Sequence, residues 1–333
     1  MKVVLTYNLK KKDPLKPADY FSECDSQETI NSVVAALKKK GHFVEAIDVE
    51  YPELFSYFKN NRVDMVFNIA EGKHGRFRES EVPAMLDYLK IPYTGSKTFS
   101  LALALNKALT KKILKAENIP TPNCQLFVKG SEILSPNLTF PLIVKPNCEG
   151  SAKGINKTNV VYDKESLFEK VRECIHVYRQ EALVEDFIEG KELTVGILEN
   201  GSIRVLPILE IDFSNCKKSG EYFYSWKMKE FQGNAEMGMV PEFFCPARLD
   251  KEIEARVKDV AIRTHRAVGC LDISRTDIRL DKNNTPYVLE INPLPGLDPK
   301  ESNFPIMAYA AGMAYDDLIE AILISASERT RLN

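Results

Sequence analysis

The sequence predicts a mixed α/β chain with two or three domains, and three observations indicate this. The chain has 333 residues, more than a single domain of roughly 100–200 residues usually holds. Its first third alternates strand-like apolar runs with helical patterns, which is typical of a parallel sheet. Its later part contains hairpin patterns, such as the run that turns at Asn200–Gly201. We therefore expect a parallel sheet first and hairpin-containing sheet structure after it.

The first third alternates strands and helices in a regular way. Apolar runs that fit buried strands cover residues 2–8, 43–49 and 63–70. Helical spacing of apolar side chains covers residues 26–41 and 79–90. Ser26 or Asp25 can cap the first of these helices, and Gly41 ends it. Pro92 and Gly95 then break the pattern, so we place the end of the first domain shortly after them.

The rest of the chain carries longer and more varied elements. Helical patterns cover residues 106–117, 249–269 and the C-terminal stretch from about Phe304. Strand patterns cover residues 142–145, 182–186, 191–211 and 274–293. Residues 215–244 are weakly periodic, and a loop of that length in a compact domain is usually functional or mobile. We expect this segment to close over a bound ligand.

Composition excludes several classes of protein. The 45 basic and 47 acidic residues are well mixed and give a net charge of −2, which argues against a nucleic-acid groove. No apolar run reaches the length of a membrane span, and the first residues lack a signal-peptide pattern. Seven cysteines without a C-x-x-C indicate reduced thiols, and four dispersed histidines argue against a histidine zinc site. We expect a cytoplasmic protein.

The hairpin at residues 274–293 directs polar side chains toward what should be a core. Because strand side chains alternate between faces, Arg275, Asp277 and Arg279 share one face. Glu290 and Asn292 share one face of the partner strand, and antiparallel pairing can bring Glu290 beside Asp277. Two carboxylates and an amide oxygen suit Mg²⁺, which leaves its other positions to phosphates and water. The alternative is a salt-bridged surface hairpin. If the two acids crowd each other, removal of Glu290 should cost little stability.

A possible phosphate partner is the loop that follows "LIVK". Lys145 ends this strand, and Gly150, Ser151 and Gly154 follow it. Backbone N–H groups of such a loop can bind phosphate oxygens, and a lysine adds positive charge. The alternative is a surface loop with an unrelated lysine. Neither a G-x-x-x-x-G-K-[ST] motif nor a G-x-G-x-x-G motif after a strand is present, so P-loop and Rossmann sites have no support.

Four segments, taken in order, resemble one family. They are "IPYTGS…NKALTKKIL…IPTP", "LIVKPNCEGSAKGI", "VEDFIEGKELTVGIL" and "SRTDIRLDKNNTPYVLEINPLPG". Their order and spacing are similar to those of ATP-grasp ligases of the D-alanine–D-alanine ligase group, from about residue 63 to about residue 322. The resemblance implies a three-domain ATP-grasp fold, in which two antiparallel sheets sandwich ATP. The implied domains are an N-terminal pre-ATP-grasp domain, a central subdomain and a C-terminal subdomain with the metal site, at residues 1–105, 106–190 and 191–333.

The resemblance also implies a reaction and its residues. A carboxylate attacks the γ-phosphate of ATP, and an amine then attacks the resulting acyl phosphate. Implied contacts to ATP are Lys107, Lys145, Glu185, Asp186, Phe187, Ile188 and Glu192. Implied ligands of two Mg²⁺ ions, with Mn²⁺ as an alternative, are Asp277, Glu290 and Asn292. Implied catalytic groups are Arg275 and the N–H of Gly296 at the oxyanion, Lys229 at the γ-phosphate and Ser151 in the covering loop. Relatives are commonly dimers, so a homodimer is an expectation.

Departures from the family pattern fall on the amino-acid side. No Gly-Gly-x-Ser-x-Glu segment follows the first strand, and Glu23, Asp25 or Glu28 are the available substitutes. Glu301 occupies the position of a substrate-binding serine, and Ser302 follows it. Glu230 occupies the position of the tyrosine that usually follows the loop lysine, here Lys229.

A further charged segment, "AEGKHGRFRES", replaces a differently shaped family stretch. Its Arg76 and Arg78 can bind a substrate carboxylate, or they can pair with Glu71 and Glu79 in a structural network. We therefore expect an ATP-dependent carboxylate–amine ligase that acts on small amino acids or carboxylates and not on nucleic acid or membranes. D-Alanine is one candidate substrate and a different carboxylate or carbonyl compound is another. A non-catalytic nucleotide-binding protein on the same fold is the third alternative.

Overall fold

A computed structural model describes residues 1–331, in which the strands form three separate β-sheets. The first sheet is parallel and the other two are antiparallel. This arrangement confirms the predicted mixed architecture. The strands of each sheet lie inside one of the three predicted segments, while the domain limits themselves stay a prediction. None of the helices in this part of the chain has both the length and the apolar composition that crossing a bilayer requires.

The N-terminal sheet has the strand order β2–β1–β3. Its elements are β1 (Lys2–Tyr7), α1 (Gln27–Lys39), β2 (Phe43–Asp48), α2 (Leu54–Asn60), β3 (Met65–Asn68) and α3 (Glu81–Leu89). Ser26, one of the two predicted caps, begins α1: its Oγ accepts a hydrogen bond from the Thr29 N–H at 3.0 Å. A buried 3₁₀ turn, Arg78–Ser80, precedes α3 and brings charged side chains toward the interior.

Two consecutive helices connect this sheet to the second one. They are α4 (Thr98–Leu105) and α5 (Lys107–Ala116). Asn106 caps α5, because its Oδ1 accepts from the Leu109 N–H at 3.1 Å. The Oδ1 of Asn147 accepts from the Ala108 N–H at 2.9 Å. This contact fixes the first turn of α5, and therefore Lys107, beside the glycine loop.

The second sheet has the order β4–β7–β5–β6. Its elements are β4 (Cys124–Phe127), β5 (Leu142–Pro146), β6 (Val160–Val161), α6 (Lys164–Tyr178) and β7 (Ala182–Asp186). Apolar side chains of α6, such as Leu167 and Val171, pack with Val144 and Val184 of the sheet in one core. That core covers one face and leaves the other face toward the cavity.

The third sheet has the order β11–β10–β8–β12–β13, with β9 paired to β8. Its strands are β8 (Lys191–Asn200), β9 (Ser202–Val205), β10 (Leu209–Asp212), β11 (Glu242–Phe244), β12 (Ile273–Leu280) and β13 (Pro286–Asn292). Its helices are α7 (Trp226–Glu230), α8 (Lys251–Val268), α9 (Asn303–Ala310) and α10 (Tyr315–Arg331). Helix α10 shares a core with α1 and the first sheet, which ties the two ends of the chain together.

The segment at residues 215–244, predicted from its weak periodicity as a long loop, contains regular structure. It contains α7 and β11, and Cys216, Met228 and Met239 form a small buried core within it. Burial of three apolar side chains stabilises a chain stretch that shows no regular periodicity in sequence. Its role as a closing segment stays a prediction.

Candidate active site

A cavity of about 450 Å³ is lined by strand residues of the second and third sheets and by residues outside the strands of the N-terminal part, such as Glu23 and Glu79. We divide it into two parts. The hairpin end is formed by Lys107, Lys145, Glu185, Glu192, Asp277, Glu290 and Asn292. The acidic end is formed by Glu23, Asp25, Glu71, Glu79 and Asp298. The two parts belong to one continuous space.

The β12–β13 hairpin brings the predicted acids together. Asp277 pairs directly with Glu290 in the antiparallel register, and a bulge follows Asp277. The Asn292 Nδ2 donates to Asp277 Oδ2 at 3.1 Å, and Thr194 Oγ1 donates to Asp277 Oδ1 at 2.6 Å. Arg275 donates two hydrogen bonds to the same carboxylate, at 2.9 and 2.8 Å. The alternation of strand side chains thus places these groups on one face, as predicted.

Glu290 is surrounded by positive charge rather than by other acids. Its carboxylate lies 3.2 Å from the Lys107 ammonium. Burial alone would raise the pKa of Glu290, but Lys107, Lys145 and their cationic neighbours hold it well below its usual range. The carboxylate is therefore ionised at neutral pH. Positive charge at Glu290 outweighs the effect of a neighbouring acid, which argues against the expectation that removal of Glu290 costs little stability.

The oxygens of this hairpin fit a hard divalent cation. Asp277 and Glu290 supply two carboxylates, and Asn292 can turn its amide oxygen toward the same point. Within residues 1–331 no group of three or more His, Cys, Asp or Glu side chains could hold a metal ion by itself. Two carboxylates with an amide oxygen agree with Mg²⁺, which takes one or two carboxylates and leaves other positions to phosphate and water.

A buried glutamate between two lysines forms the opposite wall of the hairpin end. Glu185 pairs with Lys145 and, at 2.9 Å, with Lys111. Burial opposes ionisation of Glu185, yet the two ammonium groups lower its pKa. Burial also lowers the pKa of Lys111. The sequence analysis missed Lys111, although its position four residues after Lys107 on a predicted helix was an available signal.

Aromatic side chains and a second ion pair complete this wall. Glu192 pairs with Arg279 at 2.9 Å and accepts from the Tyr224 N–H at 3.2 Å. Burial raises the pKa of Glu192 despite the neighbouring Arg279 charge. The rings of Phe187 and Phe223 lie 5.9 Å apart in an edge-to-face contact. An apolar slot beside an acid that accepts hydrogen bonds is suited to a flat base and a sugar hydroxyl. Asp186 and Ile188 line the same stretch.

The glycine loop after β5 has unusual backbone geometry. Ser151 and Ala152 both adopt left-handed φ angles, of 48° and 55°. The Lys107 ammonium donates to the Glu149 carbonyl at 2.5 Å, so the loop lies next to the hairpin carboxylates. The Gly150 N–H donates to Glu23 Oε1 at 2.6 Å. The Gly154 N–H likewise donates to Asp19 Oδ2 at 2.9 Å, so N–H groups of this loop bind anionic oxygens.

Three further predicted residues also line the cavity. Lys229 lies on α7 with its ammonium 5.2 Å from the ring centre of Tyr224, and burial lowers its pKa. Gly296 follows β13 and lies beside Ser302, whose Oγ accepts from the Asp298 N–H at 3.0 Å. Arg275 stays fully charged because the Asp277 carboxylate raises its pKa against the effect of burial. The structure thus collects all of the predicted site residues in one cavity.

The structure contradicts the alternative in which Arg76 and Arg78 pair with Glu71 and Glu79. Arg78 pairs with Glu23 and, at 3.1 Å, with Glu149, and it donates to the Cys148 carbonyl at 3.0 Å. Arg76 pairs with Glu181. Neither guanidinium forms an ion pair with Glu71 or Glu79. A structural network therefore exists, but it joins the N-terminal segment to the glycine loop. The Arg78 guanidinium is fully engaged in these contacts.

The acidic end collects the residues expected to replace the missing family segment. Glu23 and Asp25 line the cavity, whereas Glu28 pairs with Lys300 outside it at 2.6 Å. Burial and the nearby Asp298 charge raise the pKa of Asp25 to about 7. Burial and the charge of Glu23 raise the pKa of Glu79 to about 7 as well, although Arg78 and Lys107 oppose this.

Comparison with known proteins agrees with this geometry. Residues 113–324 match the family model described as the D-ala D-ala ligase C-terminus. A D-alanine–D-alanine ligase of Carboxydothermus hydrogenoformans is 35% identical over 91% of this chain and 94% of its own length. Uncharacterized protein y4sG of Sinorhizobium fredii is 33% identical over 90% and 87%. The crystal structure of D-alanine–D-alanine ligase from Bacillus anthracis complexed with ATP is 26% identical, with a TM-score of 0.76 over 100% of this chain and 99% of that one.

The fold and the cavity define an ATP-dependent ligase of the ATP-grasp class. Within that class, the chain belongs to the D-alanine–D-alanine ligase family. The sequence-based resemblance is thereby confirmed.

Proposed function

We propose that this enzyme is an ATP- and Mg²⁺-dependent carboxylate–amine ligase that forms an amide through an acyl phosphate. The observation that carries the proposal is the convergence of the hairpin carboxylates with Lys107 and the glycine loop. The ammonium of Lys107 is 3.2 Å from Glu290 and 2.5 Å from the Glu149 carbonyl. Groups for holding metal ions and groups for holding phosphates therefore occupy the same few ångströms.

The first step transfers a phosphoryl group. A substrate carboxylate oxygen attacks the γ-phosphorus of ATP, the bond to the β,γ-bridging oxygen breaks, and ADP leaves with the electron pair. Lys107, Lys145 and the glycine-loop N–H groups hold the phosphates, and Lys229 approaches the γ-phosphate from α7. Asp277, Glu290 and Asn292 would hold Mg²⁺, which when bound neutralises phosphate charge. Positioning and charge neutralisation account for most of the catalysis in this step.

The second step forms the amide. An amine nitrogen attacks the acyl carbonyl, inorganic phosphate leaves, and the nitrogen loses a proton. Arg275 and the Gly296 N–H face the place where the tetrahedral oxyanion develops. Two hydrogen bonds to Asp277 hold Arg275 rigidly, so its charge needs little reorganisation in the transition state.

The base and ribose of ATP would lie against the same wall of the hairpin end. Glu185 accepts from the base, the chain from Asp186 to Ile188 lines it, and Glu192 holds the ribose hydroxyls. In the absence of nucleotide, Lys145 and Lys111 neutralise Glu185, and Arg279 neutralises Glu192. These ion pairs orient both acids before the nucleotide arrives, and the two ammonium groups favour the ionised form of Glu185.

The experiment measures ADP and phosphate release together with amide formation detected by mass spectrometry. We expect turnover to require ATP, Mg²⁺, a carboxylate and an amine, and to disappear with EDTA. D-Alanine is one arm of the substrate panel. Glu290→Gln is the inactive variant, and Glu169→Gln, an exposed position on α6, is the matched control. Tight ATP binding without amide formation across the whole panel would favour a non-catalytic nucleotide-binding protein instead.

A further inference from the structure

The glycine loop contains a short stretch of backbone in a conformation that most residues avoid. Ser151, Ala152 and Gly154 have φ angles of 48°, 55° and 74°, and the first two of them carry a Cβ atom. Left-handed backbone is unfavourable for residues other than glycine, and it persists where surrounding contacts impose it. The shape of this loop therefore depends on the contacts that hold its two ends.

Both ends of the stretch are bound by carboxylates from a distant part of the chain. The Gly150 N–H donates to Glu23 Oε1 at 2.6 Å, and the Gly154 N–H donates to Asp19 Oδ2 at 2.9 Å. The two acids are 127 and 135 residues away from these glycines along the sequence. The part of the chain before α1 thus holds the glycine loop at both ends.

Asp19 and Glu23 belong to a closed loop, residues 9–25, which we call the N-terminal loop. Its two ends are joined, because the Lys10 N–H donates to the Asp25 carbonyl at 2.7 Å and the Asp25 N–H donates to the Asn8 carbonyl at 2.9 Å. Asn8 directly follows β1, so this closure anchors the N-terminal loop to the first sheet. Compact loops with joined ends frequently have functional roles.

Asp19 is itself fixed from a second direction. The residue is 8% exposed, and its Oδ2 atom also accepts from the Tyr178 hydroxyl at 2.8 Å. The Tyr178 ring packs so closely on Gly154 that a Cβ atom added there would lie 2.7 Å from its Cζ atom. On the other side, Asn159 Nδ2 donates to the Gly154 carbonyl at 2.9 Å. The carboxylate, the tyrosine and the loop end therefore form one tight contact.

The middle of the glycine loop is left open. The N–H groups of Ser151 and Ala152 donate to no acceptor within residues 1–331. Both residues line the cavity, whereas Asp19 does not. The carboxylates thus occupy the ends of the loop and leave its central donors available to phosphate oxygens. Any effect of Asp19 on a bound nucleotide must therefore act through the loop.

We propose that Asp19 is a positioning residue for the glycine loop. By fixing Gly154, it holds Ser151 and Ala152 in the left-handed conformation in which their N–H groups meet the phosphates of ATP. This inference rests on the proposed function and adds to it a residue from outside the cavity. Without the carboxylate the loop end is released, and the need to order the loop then opposes ATP binding. The base and ribose contacts lie elsewhere and do not depend on Asp19.

The test compares binding of ATP and of adenosine to the whole enzyme by calorimetry, with Mg²⁺ present and amino acids absent. Asp19→Ala should weaken ATP binding about tenfold, as expected for loss of a hydrogen bond to a charged group, and leave adenosine binding unchanged. Adenosine carries no phosphate, so it reports on the base and ribose contacts. Unchanged or tighter ATP binding overturns the inference. Equal weakening of both ligands, which a general loss of structure would produce, overturns it as well.

The N-terminal loop supplies a matched control. Asp13→Ala removes an exposed carboxylate whose hydrogen bond, from the Leu15 N–H at 2.9 Å, stays within the same loop. This variant should bind ATP as the parent does. Asp19→Asn keeps an acceptor oxygen near Gly154 and should bind ATP more tightly than Asp19→Ala. Circular dichroism confirms that each variant is folded.

A milder variant decides the question if Asp19→Ala does not fold. Tyr178→Phe keeps the ring that packs on Gly154 and removes the hydroxyl that holds Asp19. It should weaken ATP binding about threefold, because the carboxylate loses one of its two hydrogen-bond donors, and leave adenosine binding unchanged. Parental ATP affinity in Tyr178→Phe would contradict the inference.

Amide formation, measured separately, distinguishes this inference from the ligase proposal. Selective loss of ATP binding in Asp19→Ala, together with no amide product from the parent on any substrate, would support the positioning role and refute the ligase function. Amide formation by the parent, with unchanged ATP binding and turnover in Asp19→Ala, would support the ligase function and refute the positioning role.

Discussion

The two ends of the cavity balance their charges in opposite ways. At the hairpin end nearly every charge has a partner of opposite sign, such as Lys107 with Glu290 and Arg279 with Glu192. At the acidic end Asp25, Glu71 and Glu79 have none within residues 1–331. A balanced site is organised before its ligand arrives, whereas an unbalanced site is completed by the ligand. On the proposed assignment, the part that would hold the nucleotide is therefore prepared in advance, and the part left for the substrate is not.

The largest expected effect concerns Glu290. We expect Glu290→Gln to reduce turnover about 1,000-fold or more, equivalent to about 4 kcal/mol, because charge at the phosphates is no longer neutralised. We also expect a stability loss of about 2 kcal/mol, less than the 3–5 kcal/mol typical of fully buried pairs, because 20% of this side chain is exposed. Single-turnover kinetics and urea denaturation measure the two effects.

The pH dependence of this loss has a definite sign. The pKa of Glu290 is lowered in the folded state, so its stabilising contribution is complete above the ordinary glutamate pKa. That contribution decreases as the pH falls below about 4.5. The stability difference between Glu290→Gln and the parent should therefore shrink in acid. An unchanged difference at pH 7 and pH 3.5 would contradict the electrostatic origin.

The next largest effect concerns Glu185, which neutralises two buried lysines on the opposite wall of the hairpin end. Glu185→Ala leaves Lys111 and Lys145 buried and uncompensated, so we expect about 3 kcal/mol of destabilisation in urea denaturation. The matched control is Glu169→Ala, which removes an exposed carboxylate from α6 and should change stability by less than about 0.5 kcal/mol. Equal losses in both variants would show that the two lysines do not need Glu185.

A smaller effect of opposite sign tests the acidic end. The folded-state pKa of Glu79 is raised to about 7, so ionisation of this group destabilises the fold as the pH rises from about 4.5 to about 7. The charged groups around it are Glu23, Glu71, Glu290, Arg78 and Lys107. We expect Glu79→Gln to raise stability by about 1 kcal/mol at pH 8 and by less at pH 5. A loss of stability at pH 8 would indicate that Glu79 has a stabilising partner.

The smallest effect concerns the exposed arginine. Arg76 pairs with Glu181, but 46% of its side chain is exposed to solvent. Exposed ion pairs contribute little, so Arg76→Ala should change the free energy of unfolding by less than about 0.5 kcal/mol. Thermal denaturation in low salt measures the effect. A melting-temperature shift of several degrees would show that Arg76 does more than form a surface ion pair.

The hairpin end could be predicted from sequence because its geometry is local. Alternation along β12 and β13 places Asp277 and Glu290 on one face, and their register follows from a short turn. Likewise, the spacing of apolar residues and the Ser26 cap predict α1. By contrast, α4 is almost wholly apolar and has no periodic face, so its pattern gives no helix signal.

The acidic end could not be predicted in the same way. Glu23 is 55 residues from Arg78, and Glu149 is 71 residues from it, so no local pattern reveals this network. Whether Glu79 is buried without a partner depends on how three sheets meet. The charged segment shows only that the family pattern is absent there, and the tertiary contacts decide which charges are engaged.

The contacts of Arg78 have a consequence for how this enzyme can change its selectivity. The side chain binds Glu23 of the N-terminal segment and Glu149 of the glycine loop, so replacement of either acid disturbs the loop that handles phosphates. Asp25, Glu71 and Glu79 bear no such attachment. Exchange of Asp25 or Glu71 for a new recognition group should therefore leave the contacts of the glycine loop in place, whereas Glu79 also interacts electrostatically with Lys107 and Glu290.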